Sequence, residues 1–397
     1  MHASPRRITR PRRLVALAAA LTIVVAACGD DDDTATATAT SETQATTAAD
    51  VSTAATSEPT ATEPAAATPT TAAATESATP LEGTVNFGFF PNVTHAPALV
   101  GIGEGFIQSE LGDGVDLKTF TFNAGTEAIE ALFAGSIDIT LIGPNPAING
   151  FAQSNGEALR IVSGSTSGGA YFVVKPDITS AEQLAGTTIA TPSLGNTQDV
   201  ALRAWLADQG FETTPEGGGD VTILPQSNST TLESFLAGQI DGAWVPEPWA
   251  TRLILEGGGH VLVDERDLWP DTNGEYVTTH VIVRTEYLEE HPDIVKAVIA
   301  GLLDAIDAIE SDPATAQATV IDQIEEITAQ RPSEDVTATS FENLTFTADP
   351  IGASLEKSAD DAVAVGLLEP VDLTGIYDLT LLDEVLEARG QPPIDTP

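Results

Sequence analysis

Gly195-Asn196-Thr197-Gln198-Asp199 joins a predicted β-strand to a predicted α-helix, and this connection is the starting point for interpreting the rest of the chain. Residues 187–192 before it are β-like, and the apolar spacing of residues 200–206 after it predicts an amphipathic helix. A helix that begins directly after a strand leaves its first backbone N–H groups unpaired, and such groups favour an anion. Either Thr197 or Asn196 can cap this helix, and the Gln198 side chain can donate a hydrogen bond without adding a charge. The alternative interpretation is that these residues only cap a surface helix.

The first 28 residues have the pattern of a lipoprotein signal peptide. Five arginines between Arg6 and Arg13 precede the weakly polar run Leu14 to Ala27, which is too short for an ordinary membrane-spanning helix. The run ends at Cys28 in a Val-Ala-Ala-Cys sequence that resembles the bacterial lipobox. The alternative is an ordinary signal peptide with an incidental cysteine. Since Cys28 is the only cysteine, no disulfide is expected, and lipidation at Cys28 is predicted.

The mature chain is strongly acidic. Removing the five leader arginines leaves 11 Lys and Arg against 59 Asp and Glu, a net charge of −48. This charge argues against nucleic-acid binding and against direct adhesion to anionic lipid, so membrane contact is expected only through the lipid on Cys28. Residues 29–82 are rich in Thr, Ala, Ser and Pro and have almost no large apolar side chain, so a disordered tether is predicted there.

Predicted strands and helices alternate through the folded part, which predicts α/β domains with parallel or mostly parallel sheets. The polar and glycine-rich loops fall after the strands, at the edge where open α/β sheets bind ligands. An internal repeat supports two such domains, since residues 130–138 match residues 233–241 at a constant offset of 103. The alternative is a common helix-to-strand turn that recurs by chance.

The chain is predicted to cross between the domains twice. Domain I is expected to comprise residues 83–175 and 276–397, and domain II residues 176–275. The strand at residues 170–174 is expected to leave the first domain, and the β-branched strand at residues 276–283 to return to it. Two crossovers predict a hinge that closes around a ligand. Only helices are expected after the return strand, and the first of them is predicted from apolar residues that repeat at helical spacing from Ile294 to Ile306.

Four groups of residues occur in a fixed order: Phe89-Phe90-Pro91-Asn92 with His95-Ala96-Pro97-Ala98; Ala134-Gly135-x-Ile137-Asp138; Gly195 to Asp199 with Leu202-Arg203-x-Trp205-Leu206; and Asp241-Gly242-Ala243-Trp244-Val245-Pro246-Glu247-Pro248-Trp249. Together they resemble the solute-binding proteins of bacterial ABC importers for nitrate, taurine and aliphatic sulfonates, over roughly residues 83 to 390. The resemblance implies the type II periplasmic-binding-protein fold, with two α/β domains, a hinge and a ligand cleft between them. It also implies delivery of the ligand to a permease with a cytoplasmic ATPase.

The loops after the strands supply the candidate ligand-binding residues, which are Asn92, Thr94, His95, Gly125, Thr126, Pro144, Asn145, Ser165, Thr166, Asn196, Thr197, Gln198, Glu247 and Trp249. His95 is expected either to donate to an oxyanion or to make only a helix-entry hydrogen bond. Trp249 is expected either to pack on an organic tail or to belong to the interdomain core. In nitrate-binding relatives the position of Gln198 is often histidine, so the resemblance favours a sulfonate-like group.

The resulting prediction is a monomeric, extracytoplasmic, lipid-anchored binding protein for a small organic anion. No cofactor, metal or catalytic residue is expected, because the chain lacks a nucleophile constellation, His-x-x-x-His spacing and Walker or dinucleotide motifs. Binding of nitrate, bicarbonate or a thiamine-precursor pyrimidine is the alternative from the same fold. An enzyme on this scaffold and a sensory ectodomain are the alternatives from other classes.

Overall fold

The computed structural model describes residues 80–394, so the predicted signal peptide, Cys28 and nearly all of the predicted tether lie outside the described residues. The strands are β1 Gly83–Phe89, β2 Val115–Thr121, β3 Ile139–Ile142, β4 Leu159–Gly168, β5 Ala170–Val174, β6 Thr188–Thr191, β7 Thr222–Pro225, β8 Gly242–Pro246, β9 His260–Asp264, β10 Val277–Arg284 and β11 Leu344–Phe346. The helices are α1 Ala96–Gly103, α2 Phe106–Leu111, α3 Gly125–Phe133, α4 Pro144–Gln153, α5 Thr197–Asp208, α6 Asn228–Leu236, α7 Trp249–Leu255, α8 Thr285–Glu290, α9 Pro292–Ser311, α10 Pro313–Thr328, α11 Glu334–Glu342, α12 Gly352–Ala364 and α13 Thr380–Ala388. None of these helices is long and apolar enough to cross a membrane.

The strands form two sheets. The first has six strands in the order β11-β4-β10-β3-β1-β2, and the second has five in the order β7-β6-β8-β5-β9. Strand β1 pairs in parallel with β2 and β3, and β6 pairs in parallel with β7 and β8. Strands β5, β10 and β11 run antiparallel to their neighbours. The predicted parallel pairing is therefore present among β1, β2 and β3 and among β6, β7 and β8. Five of the nine strand pairs within residues 80–394 are antiparallel, so the sheets are mixed and not mostly parallel.

The chain passes from the first sheet to the second at Gly168-Gly169. Both glycines have a positive φ, of 78° and 71°, a conformation that favours glycine. A Cβ atom at Gly169 would also lie 2.3 Å from Leu344 Cδ2, so a side chain has no room there. Because β5 already pairs within the second sheet, the crossing lies before the expected boundary at residue 175. The division into the two predicted domains stays a prediction.

The two connections between the sheets lie side by side. The Ala170 N–H, just after the first crossing, donates to the Tyr276 hydroxyl, just before β10, at 3.1 Å. The ring of Tyr276 stacks on Trp269 with centroids 5.5 Å apart. The Thr278 hydroxyl donates to the Gly168 carbonyl at 2.6 Å. The hinge expected at these two connections stays a prediction.

The internal repeat corresponds to repeated structure. Helices α3 and α6 are each followed by a glycine with positive φ and then by the buried strand, β3 or β8. Asp138 Oδ2 accepts the backbone N–H of Asn86 at 3.0 Å, and Asp241 Oδ2 accepts the backbone N–H of Thr188 at 2.9 Å. Each aspartate therefore ties its strand to the neighbouring parallel strand, β1 for Asp138 and β6 for Asp241, which explains why both copies have this residue.

Helix α9 supplies much of the largest apolar core, beside the first sheet. Its predicted apolar stripe is buried, namely Ile294, Val295, Val298, Ile299, Leu302, Leu303 and Ile306. The expectation that only helices follow the return strand is wrong, because β11 pairs with β4 and forms the edge of the first sheet. This strand buries Leu344 and Phe346 on either side of the exposed Thr345, and three residues are too short an alternation to distinguish from a loop.

Candidate functional site

A small cavity of about 60 Å³ lies between loops of the two sheets. Its lining residues are Phe90, Asn92, Thr94, His95, Asn123, Ala124, Gly125, Gly143, Pro146, Pro192, Asn196, Thr197, Gln198, Asn228, Pro246, Thr278 and Thr279. Most of them lie at or just after the carboxyl ends of β1, β2, β3, β6, β7 and β8, which is the edge predicted for ligand binding. Seven predicted residues meet here: Asn92, Thr94, His95, Gly125, Asn196, Thr197 and Gln198. We call this space the head cavity.

The start of α5 forms one wall of the head cavity. Asn196 is the N-cap, and its Oδ1 accepts the Asp199 N–H at 3.0 Å, which confirms one of the two predicted caps. The backbone N–H groups of Thr197 and Gln198 have no partner within residues 80–394. Gln198 Oε1 accepts from the Asn196 amide at 3.3 Å, so the Gln198 Nε2 group remains as a donor. This wall therefore offers neutral N–H donors at the positive end of a helix dipole.

The loop before α5 is held by the buried carboxylate of Asp199. One oxygen accepts the Thr191 hydroxyl at 2.8 Å, and the other accepts the Gly195 N–H at 2.9 Å. The second oxygen also pairs with Arg203 Nε at 3.0 Å, and both side chains are almost fully buried. Asp199 thus holds the loop in place without lining the cavity, whereas the neutral residues Asn196, Thr197 and Gln198 line it.

The start of α3 forms the opposite wall. Its N-cap residue, Ala124, has no side-chain cap, and the N–H groups of Gly125 and Thr126 have no partner in the described part of the chain. The Thr126 side chain itself is exposed and does not line the cavity. Two helix starts, one from each sheet, therefore border the same small space. This is an arrangement that stabilises an anion from two sides.

The β3-to-α4 region of the first sheet is in close contact with the start of α5. A Cβ atom at Gly143 would lie 2.8 Å from the Thr197 hydroxyl oxygen, so only glycine permits this approach. Nearby, the Asn149 amide donates to the Gly195 carbonyl at 3.4 Å. Gly143 and Asn149 belong to the β3-to-α4 region, whereas Thr197 and Gly195 precede or begin α5. The two sheets therefore contact each other beside the head cavity through these residues.

His95 lines the head cavity as a neutral donor. Its Nδ1 accepts the Phe90 N–H at 3.3 Å, and its ring stacks on Phe90 with centroids 4.5 Å apart. Because Nδ1 accepts, we assign the proton of the neutral ring to Nε2. Burial lowers the pKa of His95 to about 3, so the ring is uncharged near pH 7. His95 therefore makes the helix-entry hydrogen bond and also lines the cavity, and its donation to an oxyanion stays a prediction.

A second buried histidine, His280, lies in β10 and makes no hydrogen bond with any described residue through either ring nitrogen. Burial lowers the pKa of His280 to about 3, whereas the unfolded chain takes up the proton near pH 6.5. Stability from this residue is therefore fully present above pH 6.5 and is lost as the pH falls toward 3.

Replacing His280 by Leu is expected to flatten the pH dependence of stability. Between pH 6.5 and 5 the wild type should lose about 2 kcal/mol relative to His280→Leu, at about 1.4 kcal/mol for each pH unit. Urea denaturation of both proteins across this range measures the difference. His291→Leu, the same substitution at an exposed position, is the control. Equal slopes for wild type and His280→Leu would contradict the assignment.

Asn92 and Thr94 are held in place by hydrogen bonds within their loop. Asn92 Oδ1 accepts the Val93 N–H at 3.1 Å, and Asn92 Nδ2 donates to the Thr94 hydroxyl oxygen at 3.1 Å. The Thr94 hydroxyl proton therefore remains available to the cavity. Thr166, also predicted to bind ligand, donates its hydroxyl to the Thr94 carbonyl at 2.8 Å and does not line the cavity. Thr166 supports the site from the adjacent strand.

Three other predicted residues are buried beside the cavity without lining it. Pro144 and Asn145 lie in the first turn of α4, where a proline is favoured, and not in a loop as expected. The Asn145 amide donates to the Ser358 carbonyl at 3.0 Å, so it joins α4 to α12. Ser165 lies inside β4, and its buried hydroxyl has no partner among residues 80–394. Their positions do not support the predicted ligand contacts.

Glu247 serves as a buried junction between α7 and α11. One oxygen accepts the Thr251 hydroxyl at 2.8 Å and the Asn343 amide at 2.7 Å. The other accepts the Thr251 N–H at 3.1 Å and the Ser340 hydroxyl at 3.2 Å. Burial raises the pKa of Glu247, and the four hydrogen bonds oppose that rise. This carboxylate is occupied by protein donors and lies outside the head cavity.

Trp249 is partly buried at the start of α7 and lies outside the head cavity. The Arg252 guanidinium lies over its ring at 5.0 Å. The indole lines a second, larger cavity on the other side of the loop that contains Pro91. The expectation that Trp249 packs on an organic tail therefore stays a prediction.

Several residues that line the head cavity were not predicted from sequence: Phe90, Asn123, Ala124, Gly143, Pro146, Pro192, Asn228, Pro246, Thr278 and Thr279. Asn123 and Asn228 carry the same signal as the predicted residues, since each follows a strand and adjoins a helix start. Thr278 and Thr279 lie within β10, where a β-branched pattern only indicated a strand. Both residues line the cavity near the start of β10, and Thr278 lies beside Gly143.

The head cavity has no charged side chain in its lining. Its polar groups are amides, hydroxyls, one neutral imidazole and the backbone at two helix starts. Fixed neutral dipoles can hold an oxyanion without a buried arginine. The geometry thus favours a compact anion that is stripped of water.

Solved structures with the same architecture include two bacterial binding proteins. One is the alkanesulfonate-binding protein SsuA from Xanthomonas axonopodis pv. citri bound to MOPS, with 21% identity, a TM-score of 0.60, and coverage of 73% of this chain and 96% of that chain. The other is the periplasmic nitrate-binding protein NrtA from Synechocystis PCC 6803, with 16% identity, a TM-score of 0.65, and coverage of 77% and 88%. The chain has the type II periplasmic-binding-protein fold, as predicted.

The profile of the NMT1-like family matches residues 78–322, which is more than half of the sequence. The chain belongs to the NMT1-like family. It is 28% identical over 220 residues to the taurine-binding periplasmic protein of Escherichia coli (strain K12), an alignment that covers 55% of this chain and 64% of that protein. The chain thus spans slightly less than two thirds of this relative. The predicted resemblance to binding proteins for taurine, sulfonates and nitrate is confirmed.

Proposed function

We propose that this protein is the substrate-binding component of an ABC importer and captures a small organic anion, an aliphatic or other organic sulfonate. The observation that carries the proposal is the head cavity, where the starts of α3 and α5 meet neutral donors from both sheets. The relatives named for taurine, alkanesulfonate and nitrate support the same class of ligand. The ligand is then passed to a permease with a cytoplasmic ATPase.

The size of the head cavity supports an anionic head group rather than a whole drug-sized ligand. Its volume is about 60 Å³, several times the roughly 10–15 Å³ that holds one water molecule. Ordinary ligand pockets are roughly 300–1,000 Å³. A sulfonate head or a nitrate ion suits this space, and the remainder of an organic sulfonate must lie outside it.

The neutral lining also suits the charge of the protein. The mature chain carries a net charge of −48, which opposes the long-range approach of anions. Inside the cavity the nearest groups are N–H and O–H donors, and local dipoles act strongly where water is excluded. Binding therefore depends on contact within the closed site and not on electrostatic steering.

A thiamine-precursor pyrimidine is less well supported as ligand. Such a ring would need an aromatic partner and a carboxylate to accept its amine. Trp249 lies outside the head cavity, and Glu247 already accepts four hydrogen bonds from the protein. Nitrate and bicarbonate match the cavity in size and charge and stay as alternatives. Turnover of a bound compound by the purified protein would favour an enzyme instead.

Anchoring by a lipid on Cys28 is part of this proposal. A tethered receptor stays near its permease outside the cytoplasm, and the predicted tether of residues 29–82 is long enough to hold the folded part away from the membrane. Metabolic labelling with radioactive palmitate in a bacterial host tests this point. Label on the wild type that disappears in Cys28→Ser supports the anchor, whereas equal label on both proteins, or label on neither, opposes it.

The function is tested by calorimetric titration of the purified protein with methanesulfonate, taurine, nitrate, bicarbonate and a thiamine-precursor pyrimidine. One-to-one binding of a sulfonate, tighter than that of nitrate or bicarbonate, is expected. Binding of the pyrimidine with no response to any anion would overturn the ligand class.

The affinity for a sulfonate is expected to change less than threefold between pH 6 and 8. Burial lowers the pKa of His95 to about 3, and no other lining side chain titrates in this range. A bound anion would have to raise this pKa by about three units, or about 4 kcal/mol, before protonation affected binding at pH 6. Titrations at pH 6, 7 and 8 measure the effect. Binding that tightens about tenfold for each unit below pH 7 would show that a charged imidazolium holds the anion.

A further inference from the structure

A second cavity of about 460 Å³ opens directly beside the head cavity. It is lined by residues from several elements, among them Asn123, Ser229, Trp249, Arg252, Ile324 and Arg331. We call it the side cavity. Its volume lies within the range of roughly 300–1,000 Å³ that is usual for ligand pockets.

The two cavities are neighbours in the structure. Asn123 lines both of them. Pro91 lines the side cavity, whereas Phe90 and Asn92 on either side of it line the head cavity. In the same way, Ser229 lines the side cavity, and Asn228 lines the head cavity. A ligand held by its head at α3 and α5 therefore has the side cavity as its adjoining space.

The side cavity differs from the head cavity in chemistry. Trp249 presents an indole surface, and Ile324 adds an aliphatic wall. Arg252 lies over the indole at 5.0 Å, and its Nε donates to Glu256 Oε1 at 2.7 Å. Arg331 pairs with Asp322 at 2.8 Å and with Glu325 at 2.6 Å. Because carboxylates of this chain neutralise both guanidinium groups, the cavity suits an apolar tail better than a second anion.

We propose that the side cavity is a tail subsite that makes the protein select sulfonates with a bulky apolar or aromatic substituent. The proposal rests on the proposed function, since the sulfonate head must occupy the head cavity. The head cavity is too small for such a substituent, and the indole of Trp249 provides the adjoining apolar surface. Taurine and methanesulfonate leave this surface unused, so they are weaker ligands.

The test compares methanesulfonate with benzenesulfonate and hexanesulfonate by calorimetric titration. The wild type is expected to bind at least one of the longer sulfonates tenfold or more tightly than methanesulfonate. In Trp249→Ala this preference should fall at least fivefold, while the affinity for methanesulfonate stays within twofold. Leu255→Ala is the matched control, because Leu255 lies on the same helix and its side chain is 57% exposed outside the side cavity.

The outcomes separate the tail subsite from the proposed function. Equal affinity of the wild type for all three sulfonates would overturn the tail subsite and leave the sulfonate receptor intact. A Trp249→Ala variant whose affinity falls equally for methanesulfonate and benzenesulfonate would show that Trp249 only supports the fold. That result would also overturn the tail subsite. Failure of all three sulfonates to bind, with binding of nitrate or the pyrimidine, would overturn the proposed sulfonate function itself.

Discussion

Asp199→Asn is expected to lower the free energy of unfolding by about 3 to 5 kcal/mol, since it removes one partner of a buried ion pair. Asp199 is fully buried and Arg203 is 1% exposed, and the pair is joined at 3.0 Å. Asparagine keeps the size of the side chain but places an N–H group toward Arg203 or the Gly195 N–H, and it leaves the guanidinium charge without its carboxylate. Urea denaturation followed by tryptophan fluorescence measures the loss.

Asp208→Asn is the matched control for this variant. Asp208 lies on the same helix but is exposed, so the same substitution should change stability by less than about 0.5 kcal/mol. The double variant Asp199→Asn, Arg203→Met removes the unpaired charge and should recover part of the loss. A cost below about 1 kcal/mol for Asp199→Asn alone would show that the ion pair does not organise the loop before α5.

Gln198→Glu is expected to weaken anion binding at least a hundredfold. The variant replaces the neutral donor in the head cavity by a carboxylate of nearly the same shape. Two like charges about 4 Å apart repel by about 4 kcal/mol at an effective dielectric constant of about 20, and each 1.4 kcal/mol is tenfold in affinity. Calorimetric titration with whichever of taurine, methanesulfonate or nitrate binds the wild type most tightly measures the loss.

Gln209→Glu provides the same change of charge at the other end of α5. Gln209 is exposed at the C-cap, so its substitution should alter affinity by less than threefold. A Gln198→Glu variant that binds the anion as the wild type does would place the anion away from the start of α5.

The features that sequence predicted correctly depend on local patterns. The cap of α5 needs only Asn196 and its own helix, and the apolar stripe of α9 repeats at helical spacing. The repeat at an offset of 103 identified two equivalent helix-to-strand turns, because the glycine with positive φ lies directly after its own helix. The partners of the two aspartates lie 52 and 53 positions earlier in the chain, and the repeat alone did not predict them. The same local logic placed seven residues in the head cavity.

The errors concern side chains whose partners lie far along the chain. The Asn145 amide is used by Ser358, which is 213 positions away, and Glu247 is used by Ser340 and Asn343, which are 93 and 96 positions away. A polar residue in a loop at a strand end looks the same in sequence whether it meets a ligand or a distant helix. The C-terminal helices α11 and α12 decide between these uses, and their packing on α7 and α4 is a long-range property.

The location of a bound sulfonate tests whether the head cavity holds the anion. A crystal structure of the protein with methanesulfonate is predicted to show the sulfonate in the head cavity, with its oxygens within about 3.2 Å of Gln198 Nε2, His95 Nε2 and the Thr197 backbone nitrogen. A sulfonate held elsewhere, with the starts of α3 and α5 contacting only water, would contradict the assignment of the head cavity as the anion site.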